Sequence, residues 1–115
     1  MRVEIAHYLY QSRGIECIPE QIVIGSGTEH LLPMILRLFD DNSKLALENP
    51  GYAAIPIAHL NEQAVPISID ADGLIIEQLE KSDANLVYLT PAHQFPTGAV
   101  LSASRRTQLL NWASE

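Results

Sequence analysis

Apolar positions recur at two different spacings along this chain, and the alternation between them predicts its elements. Residues 2–13 contain no breaker and carry Val3, Ala6, Leu9 and Tyr10 at helical spacing, with Gly14 placed to close the helix in a left-handed turn. Pro19 opens a turn into the β-branched run Ile22, Val23, Ile24, a predicted strand that stops at Gly25-Ser26-Gly27. The helix expected next sets Leu31, Leu32, Ile35, Leu36 and Phe39 on one stripe, with Glu29, Arg37 and Asp40 off it. Pro33 disturbs it. An interior proline costs about 3 kcal/mol outside the first turn, so an irregular first turn or a kink is expected.

Residues 44–48 (KLALE) form a second extended run, ended by Asn49-Pro50-Gly51, and 52–60 read as a short helix despite Pro56. A third strand is expected at 64–69. Asp70-Ala71-Asp72-Gly73 supplies turn chemistry, and 74–81 reads as a compact helix with Ile75 and Leu79 inward and Ile76 a further inward candidate. A fourth strand at 86–89 leads into a loop at 91–98, after which Ser102 or Ser104 caps a last helix burying Leu109, Leu110 and Trp112. Strands separated by helices require crossover connections, so the fold class is α/β: a mainly parallel sheet with flanking helices. Four short strands make a thin sheet. The expectation is a partial sheet belonging to a larger domain, with no linker or second domain inside the chain.

Composition narrows the partners. The 115 residues are 47% hydrophobic and 18% charged, ordinary for a globular chain, and no apolar run reaches the roughly 18 to 20 residues of a spanning helix. The start MRVEIAHYLY lacks the pattern of a signal peptide, so a cytoplasmic location without membrane contact is expected. Fourteen acidic against seven basic side chains give a net charge of -7, which disfavours nucleic acid as a partner of this stretch. Cys17 is the single cysteine, and the four histidines are not spaced as metal ligands; no metal site is expected.

Three loops carry candidate chemistry. The turn Gly25-Ser26-Gly27-Thr28 precedes a helix, where unpaired N–H groups and the helix dipole favour an anion such as a phosphate. It matches neither G-x-G-x-x-G nor the Gly-Lys-Ser/Thr phosphate loop, and a strand-to-helix turn also uses Gly and Ser for structural reasons alone. Pro50-Gly51-Tyr52 sets an aromatic ring after a strand, where open α/β sheets bind ligands; on residues alone, a ring packed over the sheet edge is the better explanation. Thr90 to Gly98 is a polar and aromatic loop stiffened by two prolines, with His93 and Gln94 as its hydrogen-bonding side chains.

Taken together, RGIECIPEQIVIGSGTEHLL, ENPGY, IDADGL and YLTPAHQFPTGAVLSASRRTQLLNWA resemble the aminotransferase-like domain of the MocR-type regulators of the GntR superfamily. These share the fold of pyridoxal-phosphate aminotransferases. HQFPTG together with RRTQLLNWA is the specific part, whereas SGT and PGY are common to many aminotransferases. The resemblance implies that 1–115 is an N-proximal portion of the large, cofactor-binding domain. It implies that Ser26, Gly27 and Thr28 hold the phosphate of pyridoxal 5'-phosphate and that Tyr52 lies against the pyridine ring. The 93–98 loop corresponds to the aminotransferase segment Asn-Pro-x-Gly, whose Asn bonds the ring hydroxyl. Phe95 stands before Pro96 here, so Gln94, beside His93, is the substitute the resemblance suggests.

Neither Lys44 nor Lys81 lies in a motif matching the Schiff-base lysine, which the family carries further along together with the acidic partner of the ring nitrogen. Arg105 and Arg106 are read as solvated or salt-bridged. The implied function is an effector-sensing domain, catalytically incompetent alone, of a homodimeric regulator. It would respond to an amine or amino acid and meet DNA only through a separate upstream domain. The alternatives are a truncated aminotransferase, moving an amino group from an amino acid to a 2-oxo acid, and a self-contained α/β binding module.

Overall fold

A computed structural model describes residues 1–52 and 64–114. Helix α1 (Arg2–Arg13) forms as the sequence predicts and ends at Gly14, whose φ of 65° lets its N–H reach the Leu9 and Tyr10 carbonyls. It buries no residue, and Val3 and Tyr10 of its apolar set stay exposed. Its packing partner is the short 3₁₀ turn Pro19–Gln21.

The predicted strand at 22–24 does not form. Ile22 is extended (φ -103°, ψ 118°), yet no described strand pairs with this segment, and Val23 is 70% exposed. β-Branching favours an extended backbone, but a strand also needs a neighbour's ladder. Helix α2 (Thr28–Leu36) carries Pro33 in its interior. It ends soon afterwards: the Leu38 and Phe39 amides bond the Ile35 and Leu36 carbonyls in tight three-residue turns. Phe39, expected on the helical stripe, therefore lies beyond the helix.

Strands β1 (Leu45–Asn49), β2 (Ala64–Asp70), β3 (Gly73–Leu74) and β4 (Leu86–Tyr88) make one sheet in the order β3-β2-β1-β4. β1 runs parallel to both β2 and β4, with Leu45 opposite Ala64 on one side and Leu86 on the other. β2 and the two-residue β3 pair antiparallel through Ile69–Leu74 and Asp70–Gly73. The sheet is thus mainly parallel, as expected, with a hairpin at one edge. Leu74 goes to that hairpin, so α3 is shorter than expected (Ile76–Glu80), with half-buried Ile75 as its N-cap. Helix α4 (Ala103–Trp112) is capped by Ser102, whose Oγ accepts the Arg105 amide at 3.4 Å. Leu109 and Trp112 pack inward, but Leu110 is 71% exposed, because it falls on the solvent side between them. The helix expected at 52–60 falls, from residue 53 on, outside the described residues.

The core lies on one face of the sheet. Ala46 and Ile67 from the strands meet Leu74, Ile76, Leu79 and Leu101, and α3 and α4 cover them. Side chains alternate along a strand, so Leu45 projects to the opposite face from Ala46, toward α2. Arg105 and Arg106 anchor α4, and the reading of an ion-paired role holds for Arg105. Its guanidinium forks onto Asp70 at 2.5 and 2.7 Å and donates to the Gly73 carbonyl at 2.8 Å. Arg106 donates to the Leu101 carbonyl at 2.9 Å and the Pro91 carbonyl at 3.3 Å.

Candidate functional site

Parallel strands deliver their loops to one end of the sheet, and here β1 and β4 deliver Pro50-Gly51-Tyr52 and the 90–98 loop side by side. Two cis peptide bonds, Asn49–Pro50 and Phe95–Pro96, occur in these two loops. The Tyr52 and Phe95 rings meet edge to face, with centroids 6.0 Å apart at an interplanar angle of 83°. Both rings keep substantial exposure (43% and 58%), so the pair leaves aromatic surface open to a ligand. Tyr88, the last residue of β4, is close by. Burial pushes its hydroxyl pKa up, and the neighbouring Tyr52 and Glu48 add to the effect.

Beneath the rings lies a buried polar knot. Glu48 is on the core-facing phase of β1, two residues from Ala46, and is only 9% exposed. Its Oε2 accepts the Thr90 amide at 3.1 Å and the Thr90 hydroxyl at 2.8 Å, with Gln94 Nε2 at a longer 3.5 Å. Gln94, 1% exposed, donates through Nε2 to the Pro50 carbonyl at 2.9 Å and to the Phe95 carbonyl at 2.7 Å. Its Oε1 accepts the Thr97 hydroxyl at 2.6 Å and the Thr97 amide at 3.2 Å. A side-chain amide has two protons and two lone pairs, so the protein itself takes up all of this residue's capacity. His93, next to it, is exposed.

The glycine-rich turn lies across an apolar cleft from Tyr88. Gly27, the N-cap of α2, has φ 115° and ψ 172°, a backbone that favours glycine, and Ser26, Gly27 and Thr28 are all exposed. The Gly27 carbonyl accepts the His30 and Leu31 amides, while the earliest amides of a helix face outward with no intrahelical partner. The cleft, about 430 Å³, runs from Thr28 past Leu31, Leu32 and Ile35 to Leu45 and Tyr88. The structure therefore sets Gln94 on the Pro50 carbonyl, two residues before Tyr52, and the Tyr52 ring on Phe95, while Thr28 lines the cleft with Tyr88 and His93 stays at the surface.

Sequence reasoning missed Glu48, Tyr88 and Phe95 as partners in this arrangement. A signal for Glu48 was present: a carboxylate two residues from Ala46 on a buried strand must find donors, and Thr90 directly after another strand supplies them. The lysines are elsewhere. Lys44 precedes β1, at the far end of the strand from Tyr52, and its ammonium pairs with Asp83, while Lys81 is the exposed C-cap of α3. Among the described residues no group of three or more His, Cys, Asp and Glu could hold a metal ion, and no helix is long and apolar enough to cross a membrane.

Comparison with solved structures identifies the fold. An archaeal alanine:glyoxylate aminotransferase superposes with a TM-score of 0.84 at 31% identity, over 98% of this chain and 31% of its own. The kynurenine aminotransferase of Pyrococcus horikoshii gives 0.80 at 29%, again over 98% of this chain and 31% of its own. The chain carries the aminotransferase fold.

Its sequence is more specific. An uncharacterised HTH-type transcriptional regulator of Bacillus subtilis, YdeL, is 44% identical over the whole of this chain. The HTH-type pyridoxine biosynthesis regulator PdxR of Corynebacterium glutamicum is 38% identical over 98% of it. By comparison, the aromatic-amino-acid aminotransferase 1 of Thermococcus litoralis is 26% identical over the whole chain, 30% of its own length. In both regulators the match spans about a quarter of the relative's length (25% in each). No family profile matches the chain. The chain is thus aminotransferase-like in fold, and its sequence is similar to a segment of HTH-type regulators, the probable rhizopine catabolism regulatory protein MocR of Rhizobium meliloti among them at 33% identity over 96% of this chain.

Proposed function

We propose that this chain belongs to the effector-sensing, pyridoxal-phosphate-binding part of a MocR-type transcriptional regulator. The observation that carries the reading is an exposed aromatic pair, Tyr52 and Phe95, set near Tyr88, which lines a cleft shared with Thr28 at the N-terminus of α2. A planar ring bearing a phosphate matches that pairing of surfaces. Ser26, Gly27 and Thr28 would hold the phosphate through backbone amides and hydroxyls, and Tyr52 would lie against the ring. The loop with His93 and Gln94 borders the same site. Bound pyridoxal phosphate supplies an electron-withdrawing ring and a carbonyl that reacts reversibly with amines.

This chain's own residues bind and orient. None of them is placed to link the cofactor covalently, because Lys44 is paired with Asp83 at the opposite end of β1 and Lys81 caps α3. The segment alone is therefore catalytically incompetent. An amine or amino acid is the effector class that the carbonyl chemistry selects. The likeness to HTH-type regulators supports DNA contact through another domain, and a homodimer is part of the same proposal. The greater identity to regulators than to the aminotransferase favours sensing over turnover.

The test is titration of the natural protein carrying this segment with pyridoxal phosphate, followed by absorbance and equilibrium dialysis. Thr28→Ala is expected to weaken binding by about 0.5 to 2 kcal/mol, the scale of a lost hydrogen bond to a charged group. An affinity identical to wild type would remove Thr28 from the site.

A further inference from the structure

Gln94 is a polar side chain at 1% exposure with every donor and acceptor position in use, and its partners come from two loops far apart in sequence. One proton goes to the Pro50 carbonyl, two residues before Tyr52, and the other to the Phe95 carbonyl. Thr97 fixes the opposite side of the amide twice over, through N–H and hydroxyl. The loop closes around the same residue: the Gln94 amide bonds the Ala99 carbonyl at 3.0 Å, and the Gly98 amide returns to the Gln94 carbonyl at 2.6 Å. Glu48 and Thr90 hold the base of both loops together beneath it.

We infer that Gln94 is a positioning residue: it clamps the 50–52 loop to the 94–97 loop and thereby sets the Tyr52–Phe95 ring geometry on which ligand orientation depends. It does not itself bond the ligand, since it has no donor or acceptor left to offer. A polar group in this position also specifies the loop pairing more sharply than an apolar one. Either loop drifting away would leave buried polar groups unpaired. The part of the inference that concerns the ligand rests on the pyridoxal-phosphate reading above; the part that concerns the loops does not.

The natural protein carrying this segment is compared as wild type, Gln94→Met, Thr97→Val and Thr97→Ser. Two signals are read: amide hydrogen exchange by mass spectrometry without ligand, and the affinity and induced circular dichroism of added pyridoxal phosphate. Gln94→Met keeps the side-chain volume and removes every hydrogen bond of the side-chain amide. It is expected to speed exchange in its own loop and also at 51–52, more than forty residues away along the chain, lowering affinity about tenfold and changing the dichroism of the bound ring. Thr97→Val, which removes only the hydroxyl, should fall between Gln94→Met and wild type, and Thr97→Ser should restore wild-type behaviour.

Faster exchange confined to 94–99 overturns the clamp, as does unchanged affinity and dichroism in Gln94→Met. A wild type that does not bind pyridoxal phosphate overturns the cofactor reading instead. In that case the exchange at 51–52 alone decides whether Gln94 couples the loops.

Discussion

Gly51 packs directly against the backbone of Glu48: a Cβ placed on Gly51 would lie 2.2 Å from the Glu48 carbonyl oxygen and 3.2 Å from the Glu48 Cβ. The obstacle is main chain, so it has no rotamer by which to yield. Gly51→Ala is therefore expected to push the 50–52 loop away from β1, destabilising the fold by about 1 to 3 kcal/mol, the usual cost of overpacking. Urea denaturation of the two proteins measures it. A midpoint unchanged by Gly51→Ala would mean that the turn relaxes freely.

Asp70 and Arg105 give a pH signature. The Arg105 fork, helped by the Asp72 amide, holds the Asp70 carboxyl below the usual carboxylate range. A depressed folded-state value means that the unfolded chain takes up the proton first. The pair's contribution is thus present above the ordinary aspartate value, near pH 4, and fades as pH falls through the lower folded value. Thermal melts of wild type and Asp70→Asn should differ at pH 7 and converge in acid. Arg105→Lys should behave like a broken pair, because an ammonium cannot reproduce the two-point contact.

Tyr52 is expected to act through its ring. Tyr52→Ala should weaken pyridoxal phosphate binding by about 1 kcal/mol through lost stacking, and Tyr52→Phe should be close to neutral. Dialysis affinities of the two variants decide. Equal losses in both would shift the role to the hydroxyl group.

Borohydride reduction tests the lysines. With Lys44 engaged by Asp83 and Lys81 on the outer end of α3, residues 1–115 are expected to gain no fold-dependent, reduction-stable cofactor adduct. Peptide mass mapping of native and urea-unfolded samples reads this directly. An adduct on either lysine in the native sample alone would contradict the expectation.

The parts of the fold that were legible in the sequence are those encoded by local pattern. Gly14 marked the end of α1, Ser102 was one of two expected caps for α4, and the runs expected at 44–48, 64–69 and 86–89 became the strands 45–49, 64–70 and 86–88 of a mainly parallel sheet. Ile22-Val23-Ile24 carried the same local signal and failed, because pairing depends on a partner that no local pattern supplies. In the candidate site, the loops at Thr28, Tyr52 and Gln94 were legible by residue type and resemblance. The use of Gln94 was not. Its partners Pro50 and Glu48 are 44 and 46 residues away, and only the β1–β4 pairing brings them within reach.

That separation bears on how the molecule comes together. The knot of Glu48, Thr90 and Gln94 joins segments 42 to 46 residues apart, so nothing in either loop can preorganise the ring pair before β1 and β4 have docked. Closing so long a stretch of chain is an entropic cost met late in folding, after the strands have found one another. The candidate site should accordingly be among the last features to mature and the first to dissolve. A substitution deep in the sheet, with no atom near a ligand, would then register as lost affinity well before the helices melt.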